Sequence, residues 1–287
     1  MDANNFSNMR GDAETVQCDV CPHRCRLKPG QRGLCRGRIN KDGRILPENY
    51  GRLTAISMDP IEKKPFARFF PGSEILSVGS YGCNLSCPFC QNYSISQVDS
   101  DSADWREMAP EELADLALSI GDNLGIAFTY NEPLIAWEYI RDTAKILKAA
   151  DPSKQIALVS NGMANAHVIE SLLPWIDAAN IDVKGDGYFY RKSLGGDLDT
   201  VKKTVELLVP SCHVEITTLV IPGCNDSEEW IREETGWLAS LDPDIPLHLT
   251  RYFPRYRCQI PATPKDTILR LKKVAEEKLH YVYAGNM

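Results

Sequence analysis

No apolar run in the 287-residue sequence approaches the ~20 residues that a membrane-spanning helix needs. The opening stretch, MDANNFSNMRGDAETVQ, has no apolar h-region and does not read as a secretion signal. Basic residues do not dominate either. Lys and Arg number 32 against 39 Asp and Glu, a formal net charge of -7. Overall charge therefore gives no reason to expect nucleic-acid binding, and a local basic patch is left open. These absences predict a soluble, cytoplasmic chain with no membrane partner.

Cysteine, by contrast, is plentiful, with ten residues. A disulfide scaffold is excluded because the chain is long and lacks a signal, and seven of the ten cysteines fall into two tight clusters. Cys18, Cys21, Cys25 and Cys35 form the first cluster; Cys83, Cys87 and Cys90 form the second. Clusters of this kind in a cytosolic protein point to metal. Cys212, Cys224 and Cys258 are scattered and read as small buried or half-buried residues.

The second cluster has a missing member. A structural zinc site takes four protein ligands. Here three cysteines occupy eight positions, and no further Cys or His stands nearby. One reading is a zinc knuckle with a remote fourth ligand. The other is a four-iron cluster held by three thiolates, which leaves one iron free for a ligand. Position and spacing favour the cluster. The first group, with four thiolates and His23 beside them, suits a closed zinc knuckle or a second iron–sulfur cluster equally well. Arg24, Arg32, Arg36 and Arg38 surround it, either to dock an acidic partner or to balance thiolate charge.

The rest of the chain is organised around repeated βα patterns. Residues 1–17 read as a disordered tail and 18–72 as a cysteine-rich, turn-rich module and connector. A hairpin is expected to turn at Asp42-Gly43. From residue 73 to 287, short apolar strands at 74–80, 125–130, 155–160, 177–184, 212–221 and 246–252 alternate with helical patterns, and 280–285 adds a last short strand. About six such units predict a parallel sheet curled into a partial (β/α)6-type barrel. Chemistry in such folds clusters at the C-terminal ends of the strands. The cysteine triplet follows the first strand. Glu132-Pro133, Asn161, Asp182 with Lys184, and the Ile-Pro-Gly turn at 221–223 follow later ones. Each also has an ordinary structural explanation: a helix cap, an Asn-Gly turn, an ion pair.

Taken together, CNLSCPFC and these strand ends resemble the radical S-adenosylmethionine (SAM) superfamily. The resemblance implies that Cys83, Cys87 and Cys90 hold a catalytic 4Fe-4S cluster whose open iron chelates the methionine part of SAM. An electron then splits SAM into methionine and a hydrogen-abstracting 5′-deoxyadenosyl radical. It implies that Phe89 touches adenine through its backbone and that Asn131 and Glu132 position methionine, with Tyr130-Asn131 replacing the two glycines of relatives. It implies that Asn161, Asp182 and Lys184 surround the ribose or carboxylate, and that the Ile-Pro-Gly turn lies along adenine. His248 would contact SAM or substrate, or else be a satisfied core residue. A reductant such as flavodoxin or ferredoxin is implied as partner.

A narrower resemblance rests on CDVCPHRC, DPIEKKPF, GCNLSCPFCQNYSIS, TYNEP and ITTLVIPGCND. These are similar to the radical SAM member of the AmmeMemoRadiSam system, a relative of pyruvate formate-lyase activating enzymes. That similarity runs from about residue 18 to 286. Many relatives continue into a cysteine-rich tail, whereas the sequence here ends at Met287. The Asp-Gly-Pro-Gly segment of typical glycyl-radical activases is absent. Three functions are therefore in play: a radical SAM enzyme acting on an unidentified substrate, an activase acting on a polypeptide glycine, and a non-catalytic electron carrier or sensor. The ring of strand-end motifs argues against the last, since a carrier has no use for them.

Overall fold

The computed structural model describes residues 14–287. Of the tail expected at 1–17, residues 1–13 lie outside the described residues. Val16–Gln17, at its end, pairs antiparallel with Arg26–Leu27. Ordered pairing thus begins before the first cysteine.

The frame is one sheet of eight strands. Seven run parallel and lie side by side in chain order: β1 (Glu74–Gly79), β2 (Asn123–Phe128), β3 (Gln155–Ser160), β4 (Ala178–Asp182), β5 (His213–Val220), β6 (Leu247–Arg251) and β7 (Val282–Gly285). Six helices make the crossovers: α1 (Pro110–Ser119), α2 (Trp137–Ala150), α3 (Ala166–Leu172), α4 (Leu198–Leu208), α5 (Glu228–Leu241) and α6 (Lys265–Ala275). Six βα units and a closing strand make the expected partial barrel. No helix among the described residues is long and apolar enough to cross a membrane.

Local chemistry sets the element ends. α1 opens on Pro110, and the Glu112 carboxylate accepts the Ala109 N–H at 2.6 Å. Asp197 accepts the Thr200 N–H at 2.9 Å and starts α4. That helix buries Leu198, Val201, Val205 and Leu208, one apolar stripe at helical spacing. The central strands are nearly all apolar because helices cover one face and the barrel interior the other. Ile156 of β3 faces Ile126 of β2, and both are fully buried.

The eighth strand, Ala55–Pro60, pairs antiparallel with β1 and forms the sheet's first edge. It falls in the stretch expected to be a turn-rich connector. Its only proline is its last residue, and an edge strand tolerates a proline that a central strand would not. The hairpin of Arg38–Lys41 with Arg44–Pro47 turns at Asp42-Gly43 as expected, with φ of 52° and 76°.

The segment after that edge strand closes one end of the barrel. Phe66 and Phe69 pack with Ile75, Ala127, Ala157 and Ala178. Each buried Phe contributes about 1.5–3 kcal/mol. Asn180 Nδ2 donates to the Pro65 carbonyl at 2.8 Å, and the Glu215 carboxylate accepts the Ala67 and Arg68 N–H groups at 2.9 and 2.8 Å. With the interior filled toward the N-terminal ends of the strands, the space that remains opens at their C-terminal ends.

Candidate active site

That opening is a cavity lined by the cysteine loop and by residues at or just beyond the ends of β2 to β6. Cys83, Cys87 and Cys90 all face it. The loop can start where it does because residue 82 is glycine. Its φ is +85°, and a Cβ there would lie 2.4 Å from the Cys35 carbonyl oxygen. One residue on, the Cys83 N–H donates to that same carbonyl at 3.0 Å.

The donor set fits an open cluster. No fourth cysteine and no histidine lines the cavity. Among the described residues, no three Cys, His, Asp or Glu side chains converge on a single ion. A four-iron cluster held by three thiolates leaves one iron free to face the cavity. Burial pushes the Cys83 thiol well up. It pushes the Cys87 thiol up to about 12 against the opposing charge of Lys184. Metal binds the thiolate, so ligation would reverse both shifts.

Glu132 is the most constrained acid in the cavity. Its carboxylate accepts from Ser160 Oγ at 2.7 Å, from the Asn161 N–H at 2.8 Å and from the Leu134 N–H at 3.0 Å. Burial raises its pKa to about 7, opposed by those three donors and supported by the charge of Asp182. A buried carboxylate at a cavity wall is suited to an ammonium group. Asn131 beside it is held by the loop: its Oδ1 accepts the Ser80 N–H at 2.9 Å, and its Nδ2 donates to the Tyr81 and Gly82 carbonyls at 3.1 Å. Tyr130 has a φ of +71°.

Across the cavity, Lys184 Nζ lies 2.9 Å from Asp182 Oδ2. Burial alone would lower the Lys184 pKa, but the charges of Asp182 and Cys87 outweigh it and raise it. The loop that carries Lys184 is tied down by Asn225, whose Nδ2 donates to the Lys184 and Leu219 carbonyls, both at 2.9 Å. Asn161 Nδ2 lies 3.5 Å from Cys83 Sγ and donates to Asn84 Oδ1 at 3.0 Å. Phe89 stacks on Phe189, with ring centroids 6.2 Å apart.

Nine of the expected residues therefore meet at one cavity: the triplet, Phe89, Asn131, Glu132, Asn161, Asp182 and Lys184. His248 does not join them. It is buried beneath the cavity, with Nε2 2.6 Å from Glu215 Oε2 in the plugged part of the barrel. An inward side chain early in β6 reaches the plug, and only Thr250, two residues later, reaches the opening. The Ile-Pro-Gly turn also lies off the lining; Leu219, just before it, lies on it. Ser160, Thr217 and Thr250 were not anticipated. Each is a small polar residue in the second half of its strand, which is the available signal. In the N-terminal module, Arg32 is engaged by Glu48 and Asp101, and Arg38 by Glu138.

Known proteins resemble the chain in sequence and in fold. The family model described as the radical SAM superfamily matches residues 77–234. An uncharacterized protein of Methanocaldococcus jannaschii is 35% identical over 286 residues, covering 96% of this chain and 83% of its own. The 7-carboxy-7-deazaguanine synthase of the same organism is 28% identical over 153 residues, 47% of this chain and 60% of its own. In fold, the chain is similar to Streptococcus suis SuiB in complex with its precursor peptide SuiA. The TM-score is 0.55 at 15% identity, covering 78% of this chain and 51% of that one.

Proposed function

The chain belongs to the radical SAM superfamily, and from that premise we propose that it cleaves SAM reductively at the Cys83, Cys87 and Cys90 site and abstracts a hydrogen atom from a substrate. Members of the superfamily are enzymes that use a 4Fe-4S cluster and SAM. When bound, that pair supplies one-electron cleavage of the sulfonium, giving methionine and a 5′-deoxyadenosyl radical.

The single observation that carries the reading is the convergence of three thiols, without a fourth, on a cavity whose walls carry Glu132, Asp182 and Lys184. The chain's own residues then divide the work. Glu132 accepts the ammonium of the methionine part, already ordered by Ser160 and Asn161. Lys184, kept protonated beside Asp182, faces the carboxylate, and Asp182 is left to accept a ribose hydroxyl. Phe89 packs against the adenine end. Plugging by Phe66 and Phe69 keeps water from entering at the bottom of the barrel.

The motifs support the narrower assignment to the AmmeMemoRadiSam type, with a one-electron reductant such as flavodoxin or ferredoxin as partner. A polypeptide substrate, including a glycine of another enzyme, is the finer reading, and SuiB, of similar fold, is solved with a precursor peptide. The test is anaerobic incubation of iron- and sulfide-loaded protein with SAM and dithionite. Methionine and 5′-deoxyadenosine should form in equal amounts. Unchanged SAM would overturn the reading.

A further inference from the structure

We infer that Cys18, Cys21, Cys25 and Cys35 hold a second, closed iron–sulfur cluster, wired to the first through the Cys35 carbonyl and the Cys83 N–H. The inference rests on the proposed cluster at the triplet and adds the site from which that cluster takes its electron.

The four cysteines form one group. The Cys18 N–H donates to the Cys25 carbonyl at 2.9 Å. A Cβ on Gly33 would lie 3.7 Å from both Cys25 Sγ and Cys35 Sγ, so these two sulfurs flank one small space. Cys21 lies on the same short loop, where its carbonyl accepts the Arg24 N–H at 3.2 Å. Cys18, Cys21 and Cys35 are buried and Cys25 half-buried. Four thiolates can close a zinc site or a cluster whose four irons take one thiolate each, so the choice between them rests on where the group sits. Four thiolates leave no iron open, so this site would bind neither SAM nor substrate.

The placement of the group favours electron transfer over a purely structural role. Its last ligand and the first ligand of the triplet are joined by a single backbone hydrogen bond of 3.0 Å. The two loops meet backbone to backbone because residue 82 is glycine. A Cβ on Gly82 would meet the Cys35 carbonyl at 2.4 Å and the Gly37 nitrogen at 3.2 Å. A second link runs through side chains. Asn84 accepts from Asn161, which lies 3.5 Å from Cys83 Sγ. His23 Nε2 donates to the Asn84 carbonyl at 2.8 Å and pins the first cysteine loop to the second. The step moves one electron and no proton. An external one-electron carrier of the flavodoxin or ferredoxin kind is oxidised by one electron, and the triplet site is reduced by one.

The test is made on full-length protein loaded anaerobically with iron and sulfide. The Cys83→Ala/Cys87→Ala/Cys90→Ala variant should keep about four irons and matching sulfide per chain. After dithionite reduction it should give a single electron paramagnetic resonance (EPR) signal that SAM does not alter. Wild-type protein should hold about twice that iron, and its fully reduced signal should be broadened or split by the neighbouring spin. The Cys18→Ser/Cys21→Ser variant should lose the splitting and keep a signal that SAM does alter. Zinc without sulfide in the triple variant, no metal there, or two unsplit signals in the wild type would overturn the inference. Failure of the SAM response in the Cys18→Ser/Cys21→Ser variant would instead count against the proposed function, independently of the iron count.

Discussion

Tyr130 donates its hydroxyl proton to Asp59 Oδ2 across 2.5 Å, and through that bond the edge strand grips the cavity wall. The same carboxylate takes Lys64 Nζ at 2.7 Å, and Lys64 lies 4.2 Å over the Tyr130 ring. Tyr130 occupies a left-handed backbone position that a glycine would adopt freely. The strain of a bulky residue there, of order 1–3 kcal/mol, is borne by these contacts. The DPIEKKPF motif thus supplies Asp59 and Lys64 to hold the turn that carries Asn131 and Glu132.

Asp59→Asn should therefore be costly. It leaves the buried Lys64 ammonium without its counter-charge, a change worth about 3–5 kcal/mol. Urea denaturation of the purified variant should show a loss of that size. A loss under about 1 kcal/mol would mean that the network does not bear on the turn.

How much of this was legible in the sequence follows from what each signal depends on. All seven parallel strands and their helices were readable because apolar runs and helical stripes such as Val201, Val205 and Leu208 are local patterns. Six of the cavity-lining residues besides the cysteines were readable because they sit in the cysteine loop or at or just after strand ends, where the fold gathers them. The edge strand Ala55–Pro60 was not, since its pairing with β1 is a tertiary fact and Pro60 and Pro65 suggest a loop. His248 stayed open between a cavity contact and a core residue because the sequence does not show how deep the Phe66–Phe69 plug reaches. The contact of Cys35 with Cys83 was equally hidden, being set by Gly82, far from Cys35 in the chain.

Asp182→Ala should weaken SAM binding while leaving the visible absorption of the loaded protein in place. A charge-assisted contact of this kind is worth about 1.5–3 kcal/mol, so the affinity should fall about ten- to hundredfold by equilibrium dialysis. Unchanged affinity would assign Asp182 and Lys184 to a structural ion pair.

Glu215 should give the fold a defined acid sensitivity. Burial would raise its pKa, but hydrogen bonds from His213, His248 and the Ala67 and Arg68 N–H groups outweigh it and lower it to about 2. A carboxylate depressed on folding contributes stability that is complete above its unfolded pKa, near 4.5, and lost as pH falls towards 2. Wild-type protein should thus exceed Glu215→Gln in denaturation midpoint at pH 7, and the gap should shrink between about pH 4.5 and 2. A gap independent of pH would show that packing alone holds the plug.

The central claim is that three thiolates, and no more, hold a cluster facing a SAM pocket. The most direct measurement is the EPR spectrum of the dithionite-reduced, loaded protein before and after SAM is added. With an open iron beside Glu132, Asp182 and Lys184, SAM should shift the signal of the triplet site, and Cys83→Ala, Cys87→Ala or Cys90→Ala should abolish that shift. A spectrum that SAM leaves unchanged in the wild type would contradict the account.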